Sequence, residues 1–320
     1  MRSFNCPKCH FDLKIEKNKK NFLVCKNNKC EINDKKFLII DGIPILIPFG
    51  EEDCILEKKT EKNFVNYGIK KRLKYSKLKS LISLTRKIII GSNTVTRKNY
   101  KYLSEFLNFK KKILIVGGGT VGSGSEEFFL NCKKQSIDVE AIDIYYSNHL
   151  TAIADAHYLP FYDKKFDIVI VQAVLEHVIS PSKVVAEIYR VLKQDGIVYA
   201  ETPFMQNVHE GAYDFTRFTH SGHRYLFREF DELKSGFVSG AFSSVLFISS
   251  YAISGLFRTY ILGKLMRLFL SRIFRVLDSL TSDKFNFDVG CGFYFIGQKK
   301  IKYKNKVNSL DLPNYYKGGQ

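Results

Sequence analysis

The stretch Lys112-Ile-Leu-Ile-Val-Gly-Gly-Gly-Thr-Val-Gly-Ser-Gly-Ser-Glu-Glu127 decides how this chain is read. Ile113 to Val116 form a short apolar run suited to a buried parallel strand. The five glycines that follow, Gly117, Gly118, Gly119, Gly122 and Gly124, let the backbone turn sharply and approach a ligand without Cβ clashes. Ser123 or Ser125 is placed to cap a helix whose free N–H groups and dipole would face that ligand. Strand, glycine loop and helix in that order predict a nucleotide-type cofactor site. Such turns serve NAD, FAD, S-adenosylmethionine and plain tight packing alike, so residues further along must separate these readings.

Downstream, Glu126 to Cys132 reads as the helix, and Asp138-Val-Glu-Ala-Ile-Asp143 as a second strand ending in a carboxylate. An acid at that strand tip is placed to accept hydrogen bonds from ribose hydroxyls, which fits NAD and S-adenosylmethionine equally. The next phrases discriminate. They are Ala154-Asp-Ala-His-Tyr-Leu-Pro-Phe161, Lys165-Phe-Asp-Ile-Val-Ile-Val-Gln172 and Val174-Leu-Glu-His177. After them come Val184-Val-Ala-Glu-Ile-Tyr-Arg-Val-Leu-Lys193 and Asp195-Gly-Ile-Val-Tyr-Ala-Glu-Thr-Pro203. From about Ile113 to Thr202 the chain resembles class I S-adenosylmethionine-dependent methyltransferases of the type 11 group, with the order and spacing of their phrases kept.

The resemblance implies a doubly wound, Rossmann-like α/β sheet and a set of roles. Gly117, Gly118 and Gly119 would lie under the methionine and ribose part of the cofactor. Asp143 would hold the ribose hydroxyls, Asp155 with the Ala156 backbone would face the adenine amine, and Gln172 would lie near the sulfonium. Two departures stand out: Ile115 replaces an acid common before the first glycine, and the loop is one or two residues longer than usual.

Methyl transfer to a hydroxyl needs a base, and His177, His209, Asp214, His220 and His223 are the candidates. His177 sits in the Leu-Glu-His turn, where ordering the loop is the commoner role. His209 follows the fifth strand in Phe204-Met-Gln-Asn-Val-His-Glu-Gly-Ala-Tyr-Asp-Phe-Thr-Arg-Phe-Thr219, on a loop at the carboxyl end of the sheet. That phrase resembles one in bacterial methyltransferases associated with cell-surface polysaccharides. Asp214 and Arg217 in it also suit a structural ion pair. His209, then His177, are therefore the expected catalytic residues.

Ser235 to Phe257 carries no charge, but seven Ser and three Gly make it a poor membrane span. A sixth strand, a break near Gly240 and a core helix are expected instead. Phe257 to Leu277 is amphipathic with only positive charge, which suits an anionic membrane surface or an acceptor lid. Gly292 to Gly297 reads as the last strand, and 301–320 as a polar tail.

Upstream, residues 1–50 contain Cys6-Pro-Lys-Cys9 and, after fifteen intervening residues, Cys25-Lys-Asn-Asn-Lys-Cys30. Two such knuckles bring four thiolates together tetrahedrally, which suits structural Zn2+. Phe22 to Val24 and Phe37 to Ile40 read as the carrying strands. The closing Asp41-Gly-Ile-Pro-Ile-Leu-Ile-Pro48 resembles the zinc ribbon of the small activator subunit of tRNA methyltransferases. Residues 51–111 form a basic connector, with an amphipathic helix around Leu73 to Leu84 and a second from Val95 to Phe109.

Of the net charge of +18, most falls between Lys58 and Lys112, where seventeen Lys/Arg face Glu61 and Glu105. Such a stretch suits phosphate groups or an anionic membrane, and equally a solvated lysine-rich face. No basic segment followed by an apolar one opens the chain, so a cytoplasmic protein peripheral to the inner membrane face is expected. The expected architecture is a zinc ribbon, a connector, a methyltransferase domain over 112–300 with a helical insertion about 242–280, and the tail. The expected activity is O-methylation of a sugar hydroxyl on a cell-surface or lipid-linked glycan. The alternatives are an rRNA or tRNA methyltransferase, for which nucleic acid would be the partner, and a non-catalytic scaffold.

Overall fold

A computed structural model describes residues 3–16, 19–33, 35–55, 93–108, 110–119, 122, 124–299, 313 and 316–319. The helix expected around Leu73 to Leu84, Thr120, Val121 and Ser123 of the glycine loop, and most of the tail lie outside these residues.

The strands are β1 (Leu13–Glu16), β2 (Lys19–Cys25), β3 (Lys36–Ile40), β4 (Ile43–Leu46), β5 (Lys112–Val116), β6 (Asp138–Asp143), β7 (Ala152–Ala154), β8 (Phe166–Gln172), β9 (Leu192–Pro203), β10 (Asp231–Ser239) and β11 (Gly292–Gln298). They form one sheet in the order β1-β2-β3-β4-β7-β6-β5-β8-β9-β11-β10. From β4 to β9 neighbours run parallel; β11 returns antiparallel between β9 and β10. Ile113, Leu114 and Val116 of β5 and Ile168 to Val171 of β8 are almost wholly buried, as a central parallel strand covered on both faces requires. The chain leaves β5 towards β6 and β7 on one side and continues with β8 and β9 on the other. The strand order therefore reverses at β5/β8, where sheets of this kind open a crevice.

The N-terminal segment continues this sheet. β3 and β4 are joined by Asp41-Gly42, both at positive φ as a two-residue hairpin turn requires. β4 then pairs parallel with β7 through Ile45 and Leu46. Phe4, Leu23 and Phe37 enter the same core as Leu159 and Phe161 of the Leu-Pro-Phe phrase, and Asn5 N donates to Pro160 O (2.9 Å).

The helices are α1 (Thr94–Ser104), α2 (Glu126–Lys134), α3 (Pro181–Val191), α4 (His220–Leu226), α5 (Ala241–Leu256), α6 (Tyr260–Leu280) and α7 (Asp283–Val289). α1 ends at Ser104, short of the expected Phe109. Of the two serines expected to cap α2, Ser123 lies outside the described residues, and Ser125 is corrected: it makes no side-chain cap and its Oγ donates to Gly122 O (2.6 Å). The Glu126 carboxylate instead accepts from Gly124 N (2.9 Å) and sits in the favourable first turn.

The segment after β10 departs further from expectation. Gly240 does mark the break, but α5 is no core helix: Val245, Ile248, Tyr251 and Leu256 are exposed. It pairs with α6 as a hairpin, so its small residues face the partner and not the sheet. At the crossing a Cβ on Gly263 would stand 2.2 Å from Ser250 O. The buried Asp278 of α6 accepts from Gly240 N (3.0 Å), Ser243 N (3.1 Å) and Ser243 Oγ (2.5 Å), capping α5 from across the hairpin.

Candidate active site

A cavity of about 1060 Å³ opens at the carboxyl ends of β5, β6, β7, β8 and β9. Its floor is the start of the glycine loop. Gly117, at φ 79°, and Gly118 both donate to Ile142 O (2.9 Å each). A Cβ at Gly117 would meet Val174 Cγ2 at 2.3 Å, and one at Gly118 would meet Ala141 Cβ at 2.7 Å. The backbone is thus pressed against both neighbours of the sheet, which only glycine permits. Gly119 does not line the cavity with them; its N–H donates to Asp143 Oδ2 (2.8 Å).

Asp143, at the tip of β6, lines the cavity and also accepts from Tyr145 N through Oδ1 (2.9 Å). Asp155 and Ala156 lie on the same wall. Asp155 Oδ1 is turned to His157, accepting from its N–H (2.9 Å) and from Nδ1 (2.6 Å), while His157 Nε2 accepts from Ser180 N (3.1 Å). Asp155 therefore orders the Asp-Ala-His turn whatever else it contacts.

Gln172 closes β8. Its Nε2 donates to Glu201 Oε2 (2.9 Å) and its Oε1 accepts from Tyr100 OH. Glu201, near the end of β9, also accepts from Thr96 Oγ1 (2.9 Å) and Tyr199 OH. Burial raises its carboxyl above the usual range, and these donors oppose the rise. Helix α1 thus fixes the cavity wall through Thr96 and Tyr100. The sequence holds no signal for that pair beyond amphipathicity, and the acid of the Glu201-Thr-Pro203 phrase carries no role there.

Beyond Gln172, Ala173 takes a positive φ of 52° and turns the chain into the short 3-10 helix Leu175–His177. The loop after β9 is held against that turn: Phe215 N donates to Glu176 O (2.8 Å) and His177 Nδ1 to Tyr213 O (2.7 Å). The two expected catalytic histidines, distant in sequence, meet here. His177 Nε2 and His209 Nε2 are 2.9 Å apart, with their rings at 81°. Glu176 Oε1 lies 3.7 Å from each of these nitrogens. Its side chain is 0% exposed, and neither oxygen has a hydrogen-bond partner among the described residues. That carboxylate holds the His209 imidazole above its ordinary pKa against the lowering effect of burial, with Asp214 adding to the rise.

Asp214 and Arg217 form a two-pronged ion pair, with Nη2 to Oδ2 at 2.6 Å. The guanidinium holds the Asp214 carboxyl down at about 2. The pair also positions His209, whose N–H donates to Asp214 Oδ2 (3.0 Å). His220 and His223 are elsewhere. Burial pushes both down to about 3, and His223 is packed among Phe218, Phe227 and Phe295 with neither nitrogen hydrogen-bonded among the described residues. As candidate bases they are corrected: they are neutral core residues away from the cavity.

A second cluster lies in the N-terminal segment. The sulfurs of Cys6, Cys9, Cys25 and Cys30 fall within 4.8 Å of one another, with Cys6–Cys30 at 3.8 Å and Cys9–Cys25 at 3.7 Å. Four thiolates held tetrahedrally at zinc bond lengths would be about 3.8 Å apart.

No curated protein matches the sequence. Among solved structures, the chain is similar to phosphoethanolamine N-methyltransferase 2 of Haemonchus contortus in complex with S-adenosylmethionine. The identity is 16% and the TM-score 0.43, covering 68% of this chain and 56% of that one. A SAM-dependent methyltransferase from Archaeoglobus fulgidus gives 15% identity and a TM-score of 0.42 over 68% of this chain and 99% of that one. The [4+2]-cyclase SpnF gives 16% identity and a TM-score of 0.40 over 64% and 81%. Residues 120–200, from the glycine loop into β9, match the family described as a methyltransferase domain. Residues 120–200 of this chain thus carry a methyltransferase domain, which runs from the glycine loop after β5 into β9.

Proposed function

We propose that this methyltransferase O-methylates a hydroxyl acceptor, a sugar of a cell-surface or lipid-linked glycan. S-adenosylmethionine supplies a methyl group already activated by its positive sulfur. The chain has to align donor and acceptor and promote loss of the acceptor's proton. Gly117, Gly118, Asp143, Asp155, Ala156 and Gln172 are the residues on the cavity wall that would hold the cofactor, with Gly119 fixing Asp143. The observation that carries the reading is the Glu176–His177–His209 cluster at the same cavity. An amine acceptor could lose its proton to water, whereas a neutral alcohol is a poor nucleophile and needs such a cluster. The hydroxyl proton is lost at the cluster as the oxygen–methyl bond forms. The carbon–sulfur bond breaks with its electron pair going to sulfur, releasing S-adenosylhomocysteine. His209 is the outermost member and His177 stands behind it.

The helical hairpin supports an acceptor presented at a membrane. On α6, Ile261, Leu265, Phe269, Ile273, Val276 and Leu280 recur every three or four residues and are all exposed, beside the cations Lys264 and Arg272. An exposed apolar stripe with cations suits the interface of an anionic bilayer. Among the described residues no helix is long and apolar enough to cross a membrane. The N-terminal cysteines would hold structural Zn2+, their sulfur spacing being that of a four-thiolate site.

The test is transfer of labelled methyl from S-adenosylmethionine to an envelope glycan extract in anionic vesicles and, separately, to total cell RNA. The expected result is label in the glycan, with the protein sedimenting with the vesicles. Label confined to RNA would overturn the sugar reading.

A further inference from the structure

We infer that Glu176, His177 and His209 form a binding site for one divalent transition-metal ion, which in turn binds the acceptor oxygen. This deepens the hydroxyl-acceptor reading and rests on it only for the second clause.

Three electron-pair donors converge on one point. His177 donates its Nδ1 hydrogen to Tyr213 O at 2.7 Å, so its Nε2 carries a lone pair towards His209. On the other ring, Nδ1 lies 3.4 Å from Asp214 Oδ2, leaving Nε2 as the atom that faces His177. Between them stands the Glu176 carboxylate, fully buried and without a hydrogen bond on either oxygen among the described residues. Its neighbours are the two imidazole nitrogens at 3.7 Å, too far for a hydrogen bond, and a buried carboxylate left without one is costly. A cation at the common point satisfies all three.

The distances fit. Ligands bound at usual nitrogen and oxygen bond lengths stand roughly 3.0–3.4 Å apart around one ion. Here the separations are 2.9, 3.7 and 3.7 Å, so shifts of a few tenths of an ångström complete the site. The outer partners are those of metal-bound histidines: a backbone carbonyl behind His177 and a carboxylate behind His209. Two imidazoles and one carboxylate leave open positions towards the cavity and suit Fe2+, Mn2+ or Zn2+. A hydroxyl taking one of those positions is acidified by the ion and loses its proton to solvent. His209 then serves as a ligand and not as a direct base. The competing occupant is a single proton shared between the two imidazoles.

The experiment is titration of the intact chain with Mn2+, followed by electron paramagnetic resonance without acceptor. Manganese is a poor ion for the four cysteines, so the signal reports this site. One Mn2+ per chain is expected, weakened more than tenfold in Glu176→Gln and in His209→Ala. Circular dichroism and S-adenosylhomocysteine binding should stay unchanged in both. No bound Mn2+, together with a zinc content that Glu176→Gln does not alter, would overturn the ion in favour of the shared proton. Glycan methylation persisting in such metal-free protein would leave the hydroxyl reading intact. Bound Mn2+ with label going only to RNA would uphold the ion and sink the sugar acceptor.

Discussion

At the scale of single residues, His209 is set up by its neighbours. Asp214 is held charged by Arg217, accepts the His209 backbone N–H and so fixes the loop that carries the ring. Glu176 faces the imidazole from the buried side. Removing that ring takes away the outermost member of the cluster without touching the glycine loop. Turnover of His209→Ala should fall about 10²–10⁴-fold, the range for losing a group that deprotonates the acceptor, directly or as a ligand of the ion, while the affinity for S-adenosylhomocysteine, read by calorimetry, stays as it is. Full activity on the true acceptor would move the role to His177. The histidine pair shows what a sequence can and cannot carry. Each histidine is noticeable by its phrase, but their contact depends on the loop after β9 folding onto the turn after β8. Glu176 carries no role in the sequence for the same reason: its burial against the two imidazoles, with neither oxygen hydrogen-bonded among the described residues, exists only in the fold.

At the scale of elements, β5, β6 and β8 are legible because their apolar runs end in glycine, Asp143 and Gln172, the chemistry expected at strand tips. The role of α1 is not. Thr96 and Tyr100 look like any polar and aromatic residues of an amphipathic helix, and only the approach of β9 turns them into partners of Glu201 and Gln172. Helix α5 is misread as core because serine and glycine spacing serves a helix crossing as well as a buried face. In the N-terminal segment the cysteine spacing is readable, whereas the pairing of β4 with β7 is not, since strand addition leaves no mark of its own. The four-thiolate geometry leads to a direct check. Elemental analysis of Cys25→Ser should show one equivalent of zinc fewer than wild type, with the methyltransferase sheet still folded. Because Phe4, Leu23 and Phe37 share the main core, some loss of thermal stability should accompany it. Zinc content unchanged by that substitution would refute the assignment.

For the whole molecule, one continuous sheet runs from the cysteine cluster through the cofactor crevice to β10. The cysteine lobe lies beyond β7, on the side of Asp155 and Ala156; β10 leads into the helical hairpin at the other edge. The two additions therefore frame the cavity from opposite edges, one stiffening the cofactor side and the other facing outward with its apolar stripe. All of this depends on the crevice holding S-adenosylmethionine. Isothermal calorimetry with S-adenosylhomocysteine tests it most directly. Wild type should bind it and give no heat with NAD. Asp143→Ala should bind more weakly by roughly 0.5–1.5 kcal/mol for each hydrogen bond lost. Absence of S-adenosylhomocysteine binding, or an affinity indifferent to Asp143, would contradict the account.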